Sequence, residues 1–143
     1  MKYFDTTFTS SQTLTVPNIP QNFKAIFTVH RNAHNQSNNA WLEVGSNSNN
    51  CLLFGLTGSG YQGALGSIGV FAKVNGSYVD SQDMECVVDD SDWEMEYSYN
   101  NGVQTITDGT NSQSITNSQI TSRTYVKVNV NRSTLRNLII IPL

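Results

Sequence analysis

Three carboxylates recur at every second position in Asp92-Trp-Glu94-Met-Glu96, and a row of acids at this spacing is one way to build a pair that hydrolyses a glycosidic bond. In an extended chain, neighbours two apart lie about 6.7 Å from each other and those four apart about 13 Å. A retaining pair needs about 5–5.5 Å, so without a bulge the row suits a solvated strand face better than a nucleophile and its acid. A second acidic group, Asp80, Asp83, Asp89 and Asp90, supplies the hard oxygen ligands that Ca²⁺ takes, but at no EF-hand spacing, and a solvated acidic loop accounts for it better. Neither His30 nor His34 has a serine or cysteine nucleophile context around it, and no Gly-x-Ser-x-Gly elbow occurs. Cys51 and Cys86 sit in apolar runs at neither metal-ligand nor redox spacing. A pair of small buried hydrophobes and a single disulfide both remain open. The sequence thus implies no catalytic group, no bound metal and no cofactor.

Aromatic residues flanked by amides carry a different chemistry. An aromatic ring stacks on the C–H face of a sugar, while planar amides donate to and accept from its hydroxyls. Trp41, Tyr61, Tyr78 and Tyr125 are the candidate ligand-binding residues on this basis. Tyr125 is opposite in parity to three inward valines, Tyr61 rides a glycine-rich loop, and Tyr78 follows a hairpin turn, which places each at the surface.

The elements that must position these residues are strands. From Trp93 to Tyr99 large residues alternate with Glu94, Glu96 and Ser98, and only a period of two sorts such a segment into two faces. Asn100-Asn101-Gly102 then supplies residues that tolerate positive φ, Val103–Thr107 resumes extended chemistry, and Asp108-Gly109 turns the chain again. Phe23–Arg31 alternates equally cleanly, with Phe23, Ala25, Phe27 and Val29 on one face. Trp41–Gly45 and Cys51–Thr57 read as paired strands, and Ile68–Val74 turns at Asn75-Gly76 onto Tyr78-Val79. Residues 111–122 read as a polar stretch with isolated Ile115 and Ile120, and Leu135–Leu143 as a strand covered on both faces. The expected core contains Phe27, Val29, Trp93, Met95, Tyr97, Val126, Val128 and Val130.

No helical period is sustained, and turn signals recur about every eight to twelve residues, the spacing of a sandwich or barrel. Residues 1–143 are expected to form a single β-sandwich domain. Charged residues make up 13% of the chain, and Asn, Ser and Thr fill roughly a third of it, so solubility rests on amides and hydroxyls. A net charge of −3 with scattered Lys and Arg disfavours nucleic acid and membrane surfaces as partners. Met1-Lys-Tyr-Phe-Asp5 leads into polar residues rather than a signal-peptide core. That fits a cytosolic product, a virion component or a domain excised from a larger secreted protein.

Tyr97-x-Tyr-Asn-Asn-Gly102, Thr107-Asp-Gly109, Tyr125–Asn131 and the closing Leu135-Arg-Asn-Leu-Ile-Ile-Ile-Pro142 together resemble the second half of concanavalin A-like jelly rolls. That group includes laminin-G-type, legume-lectin-type and laminarinase-type domains. The resemblance implies an all-β, two-sheet antiparallel jelly-roll β-sandwich. Laminarinase-type hydrolases carry Glu-x-Asp-x-Glu along one strand, a pattern from which Asp92-x-Glu94-x-Glu96 departs. In size and composition the chain also resembles small β-sandwich subunits of phage and virus tails and fibres. The expected function is a non-catalytic recognition module for glycan or a cell-surface polymer, acting as a homo-oligomer or within a larger assembly such as a virion tail, a fibre or an adhesin. A structural assembly subunit is the alternative, and a laminarinase-type glycoside hydrolase the second alternative.

Overall fold

Wherever apolar and polar residues alternate in this sequence, the backbone is extended and paired. A computed structural model describes residues 2–16, 18–32, 38–57, 67–84 and 91–143, and among these residues the regular elements are strands. In chain order they are β1 (Lys2–Phe8), β2 (Gln12–Leu14), β3 (Phe23–Arg31), β4 (Asn39–Asn47), β5 (Asn50–Thr57) and β6 (Ser67–Val74). Then come β7 (Ser77–Met84), β8 (Asp92–Asn100), β9 (Val103–Thr107), β10 (Ser112–Thr116), β11 (Tyr125–Asn131) and β12 (Ser133–Pro142). They form two antiparallel sheets of six strands. The first has the order β1-β12-β3-β8-β9-β10 and the second β2-β11-β4-β5-β6-β7.

The core is the space between the sheets. The first sheet contributes Phe23, Ala25, Phe27 and Val29 of β3, Met95, Tyr97 and Tyr99 of β8, and Leu135, Leu138 and Ile140 of β12. The second answers with Leu42 and Val44, Leu52, Phe54 and Leu56, Ile68 and Val70, and Val126, Val128 and Val130. Phe54 and Tyr97 stack across the gap with ring centroids 3.6 Å apart. The fully buried Tyr97 hydroxyl donates to Gln104 Oε1 at 2.9 Å, so the phenol is not stranded in the core.

Both predicted hairpins turn through residues with positive φ, Asn75-Gly76 (51° and 81°) and Asn101-Gly102 (49° and 86°). That is the backbone whose twist matches paired strands.

Four features differ from the sequence reading. Trp93 is only partly buried, because it sits near the open end of β8 and packs against the core from its margin. The closing strand is covered on one face only: Leu135, Leu138 and Ile140 are buried, while Ile139 and Ile141 lie half-buried on the outer face. Leu135 and Leu138 are three apart, so both face inward only because a bulge with Asn137 at φ 56° shifts the register between Arg136 and Ile139. β10 occupies part of the stretch read as irregular, since pairing with β9 in register overrides its weak alternation. β7 runs on to Met84, through the first part of the acidic stretch, because it pairs along the length of β6.

Val128 is fully buried in β11, facing the first sheet. Replacing it with Asp places a charge in low dielectric without a partner and should cost several kcal/mol, on the order of 10 °C in melting temperature. Thermal denaturation checks this: a variant melting within a couple of degrees of the parent would mean that Val128 does not face the core.

Candidate functional site

Because Leu42, Val44, Leu52, Phe54, Val70 and Ala72 face inward, strand parity turns the residues between them outward. The register assembles that outer face of the second sheet in cross-strand rows. One row runs Tyr125, Gly45, Cys51, Lys73, Tyr78. The next runs Lys127, Glu43, Leu53, Phe71, Ser81, and the one after it Asn129, Trp41, Gly55, Gly69, Asp83. Asn131, Asn39, Thr57 and Ser67 close the series. Trp41, Tyr78 and Tyr125, selected separately from the sequence, therefore share one surface. Tyr61, the fourth candidate, lies outside the described residues.

Glu43 is the centre of this face. Only 5% exposed, it accepts from Trp41 Nε1–H on Oε2 at 3.0 Å and from the Tyr125 hydroxyl on Oε1 at 3.4 Å, with the Cys51 thiol 4.0 Å from Oε1. The bond to its own strand neighbour two residues on holds the indole toward Glu43, and Trp41 remains half-exposed. Burial and then the Glu43 charge push the Tyr125 phenol up to about 12. The same two causes raise the Cys51 thiol to about 12, with Lys73 opposing them. Cys51 is a free, buried thiol; Cys86 lies outside the described residues.

Sequence reading missed Phe71. Its ring folds back over Gly69, where a Cβ would lie 2.5 Å from Phe71 Cε2 and 2.5 Å from Asp83 Oδ1, so only glycine fits beneath it. Phe71 meets Tyr78 at 5.4 Å and 52°, and Lys73 Nζ lies 5.5 Å from the Tyr78 ring, whose residue is 58% exposed. The signal was present in Gly69-x-Phe71-x-Lys73, a strand face whose glycine leaves room for an aromatic two places on. Trp41 and Tyr125 around Glu43 thus make one aromatic group and Phe71 with Tyr78 another. Tyr125 and Tyr78 stand at opposite ends of a row four strand spacings long, about 19 Å.

The carboxylate row is on the other side of the molecule, on the outer face of the first sheet. β8 pairs with β3 without a bulge, so the extended spacing of Asp92, Glu94 and Glu96 stands. Asp92 accepts from Arg136 Nη2 and lies 3.1 Å from His30 Nδ1, while Glu96 pairs with Lys24. The bond from Arg136, with lesser help from its charge and from His30, holds the Asp92 carboxyl below its ordinary value despite an opposing desolvation effect. That is the wrong direction for a general acid. Glu94 and Glu96, with Asp108, line a recess of 200 Å³. Asp80 and Asp83 face opposite sides of β7, Asp80 paired with Ala72 and Asp83 with Gly69, and Asp80 Oδ2 accepts from Asn117. His34, Asp89 and Asp90 lie outside the described residues, among which no group of three or more ligating side chains gathers.

Glu43→Gln keeps the shape of this cluster and removes its charge. The Tyr125 phenol and the Cys51 thiol should then both titrate below about 12, each returning only part of the way toward its ordinary value because burial is the larger cause for both. An NMR pH titration reads both. Unchanged values would mean that Glu43 does not act on either group.

No protein-family model matches the chain, and no curated protein matches its sequence. Solved structures do resemble it. The galectin LEC-6 of Caenorhabditis elegans aligns with a TM-score of 0.69 over 94% of both chains at 8% identity. CG-16, a homodimeric agglutinin from chicken liver, aligns at 0.65 over 92% of this chain and 99% of that one, with 10% identity. A toad ovary galectin in complex with thio-digalactose aligns at 0.61 over 90% of this chain and all of its own, with 14% identity. At such identities the likeness speaks for architecture, and the architecture is that of the galectins, a concanavalin A-like β-sandwich.

Proposed function

We propose that residues 1–143 form one non-catalytic recognition module that binds glycan, or another neutral polyhydroxylated polymer, across the outer face of the second sheet. The observation that carries this reading is the gathering of Trp41, Phe71, Tyr78 and Tyr125 on one sheet face. Around Trp41 the same face offers the amides of Asn39, Asn129 and Asn131 and the hydroxyl of Thr57, which suit sugar hydroxyls. The toad ovary galectin of the same fold was solved with thio-digalactose, which supports a saccharide as the ligand class. A shallow face of this kind binds weakly, with a single-site Kd of about a millimolar, and gains strength when multiplied. A homo-oligomer or a larger carrier follows from that arithmetic, and CG-16 is itself homodimeric. A virion tail or fibre as the carrier rests on the composition and size of the chain.

The alternative, a structural subunit, draws on the first sheet. Ile26, Ile139 and Ile141 lie half-buried on its outer face, and Tyr3, aligned with Ile139, is 55% exposed. The hydrolase reading draws only on the row of Asp92, Glu94 and Glu96.

Isothermal titration with neutral mono- and disaccharides, β-galactosides included, tests the first reading. Millimolar binding is expected, weakened about tenfold in Trp41→Ala, the loss of roughly one stacking contact. Absence of binding at tens of millimolar of every saccharide, or undiminished affinity after Trp41→Ala and Tyr78→Ala together, would sink it.

Incubation with β-glucans, galactans and cell-wall polymers should release no new reducing ends. Release that disappears on Glu94→Gln or Glu96→Gln would instead establish a hydrolase.

A further inference from the structure

Two of the hairpin turns are Asn-Gly pairs. In such a pair the side-chain amide carbon is within reach of the following backbone nitrogen, which no side chain of its own residue shields, and closure of a five-membered ring between them needs only water and mild base. The pairs are Asn75-Gly76 between β6 and β7 and Asn101-Gly102 between β8 and β9. The sequence makes them equivalent; the structure does not.

The Asn101 carboxamide is held. Its Oδ1 accepts from Asn22 Nδ2 at 3.1 Å, and the Asn101 backbone N–H donates to Asn22 Oδ1 at 2.9 Å. Gly102, which carries the nucleophilic nitrogen, is buried: a Cβ there would lie 3.3 Å from Ser118 Cβ, and its carbonyl accepts from Asn117 N. Ring closure at this turn requires the Asn22 clasp to open and the packing over Gly102 to withdraw. Asn75 lies in the open. Asn75, Gly76 and Ser77 are all exposed, and among the described residues the Asn75 carboxamide makes no hydrogen bond, although its backbone N–H donates to Asn50 Oδ1 at 3.0 Å. A Cβ on Gly76 would meet nothing nearer than Asn49 Oδ1 at 3.6 Å. The restraint on the nucleophile is the bond from Gly76 N to Asn49 O at 2.9 Å. That bond joins two exposed turn tips, and bonds of this kind open locally without unfolding the sheets.

We propose that Asn75 is a site of spontaneous deamidation and that Asn101 is protected from it. The Gly76 nitrogen gives its proton to base and forms a bond to Asn75 Cγ. The bond from that carbon to Nδ2 breaks, and the nitrogen leaves as ammonia from a succinimide. Water then adds to either ring carbonyl and opens one C–N bond, leaving aspartate or isoaspartate at position 75. An amide and water thus become a carboxylate and ammonium, with no oxidant, reductant or metal. Isoaspartate adds a methylene to the backbone inside a two-residue turn that sets Val74 opposite Ser77 and Lys73 opposite Tyr78. Either product also puts a negative charge at the turn, two places from Lys73. On the glycan reading, on which this consequence alone rests, ageing therefore loosens the Tyr78 end of the recognition face.

The test incubates the whole chain at neutral and at mildly alkaline pH and maps its peptides by mass, with isoaspartate counted by an isoaspartyl methyltransferase. Acid gain at Asn75 is expected to run about tenfold ahead of that at Asn101, roughly the rate ratio set by one further hydrogen bond to break, and to quicken with pH because the nitrogen must lose its proton. In chain unfolded by urea the two sites should react alike. Asn75→Gly keeps a residue that accepts φ 51° and should abolish the gain in that peptide. Asn22→Ala releases the Asn101 carboxamide and should raise conversion there. Equal conversion of the two asparagines in the folded chain, or none at Asn75 over the interval that converts both in urea, overturns the proposal. An unmoved rate at Asn101 in Asn22→Ala overturns its protective half. These maps do not involve saccharide, so the site stands or falls apart from the recognition reading. Titration of aged against fresh protein measures the consequence, a weakening no larger than that of Tyr78→Ala.

Discussion

The stack of Phe54 on Tyr97 ties the middle of one sheet to the middle of the other, and the facing of the candidate residues on β4, β5, β6 and β8 follows from it. With Phe54 pointing inward, its neighbours Leu53 and Gly55 must point outward, and through the register so must Glu43, Trp41, Phe71 and Gly69. With Tyr97 pointing inward, Glu96 and Ser98 are turned to the opposite outer surface, and Glu94 and Asp92 follow at the same parity. One inter-sheet contact therefore separates Trp41 and Phe71 from Asp92, Glu94 and Glu96 by the full thickness of the sandwich. A slip of one residue in either strand would exchange core for surface along its length, which is why the apolar alternation of β5 and β8 protects the position of residues that take no part in the core.

Separation of this kind decides between chemistries. Hydrolysis of a glycosidic bond requires an aromatic or polar cradle and two carboxyl groups in one cleft. Here Asp92 and Glu96 of the first sheet are engaged with Arg136, His30 and Lys24, while on the aromatic face Glu43 spends its oxygens on Trp41 and Tyr125 and Asp83 stands apart at the far end of the Trp41 row. The function of Glu43 there is to orient rings. An indole whose N–H is anchored loses little further freedom when a ligand stacks on it, so less of the contact energy goes to ordering the side chain.

How far the sequence could be read depended on whether parity alone determined an element. β3, β8 and β11 were legible because each alternates without interruption, and Asn75-Gly76 and Asn101-Gly102 were legible because two successive positive φ values demand such residues. β12 was misread as doubly covered because Leu135-Arg-Asn-Leu-Ile-Ile-Ile breaks alternation at a bulge, and a bulge leaves no composition mark beyond one asparagine. β10 was invisible since its five residues contain one isoleucine and take their order from β9. At the site, Trp41, Tyr78 and Tyr125 could be picked by residue type, but their convergence depended on the pairing order β11-β4-β5-β6-β7, which is a long-range property. Glu43 escaped notice because a lone acid in an apolar strand gives no hint that two aromatic donors will meet it, one of them eighty-two residues away.

Glu43 and Arg123 share a physical trait. Each is a charge withdrawn from water, and each is held by neutral partners: an indole N–H, a phenol and a thiol for Glu43, and three carbonyls and two aromatic rings for Arg123. Neutral partners stabilise a charge without cancelling it. Lys127 stands directly opposite Glu43 in the β11–β4 register, so a neighbouring cation shares the field around that carboxylate, and screening by salt is weaker for buried charges than for exposed ones. On the outer face of the second sheet the buried charge is thus Glu43, with Lys127 opposite it, and at the edge beside β2 it is Arg123. Each charge thereby fixes the groups around it: Glu43 holds the Trp41 and Tyr125 rings in place, and Arg123 fastens the carbonyls of Gln21, Ile120 and Ser122 together.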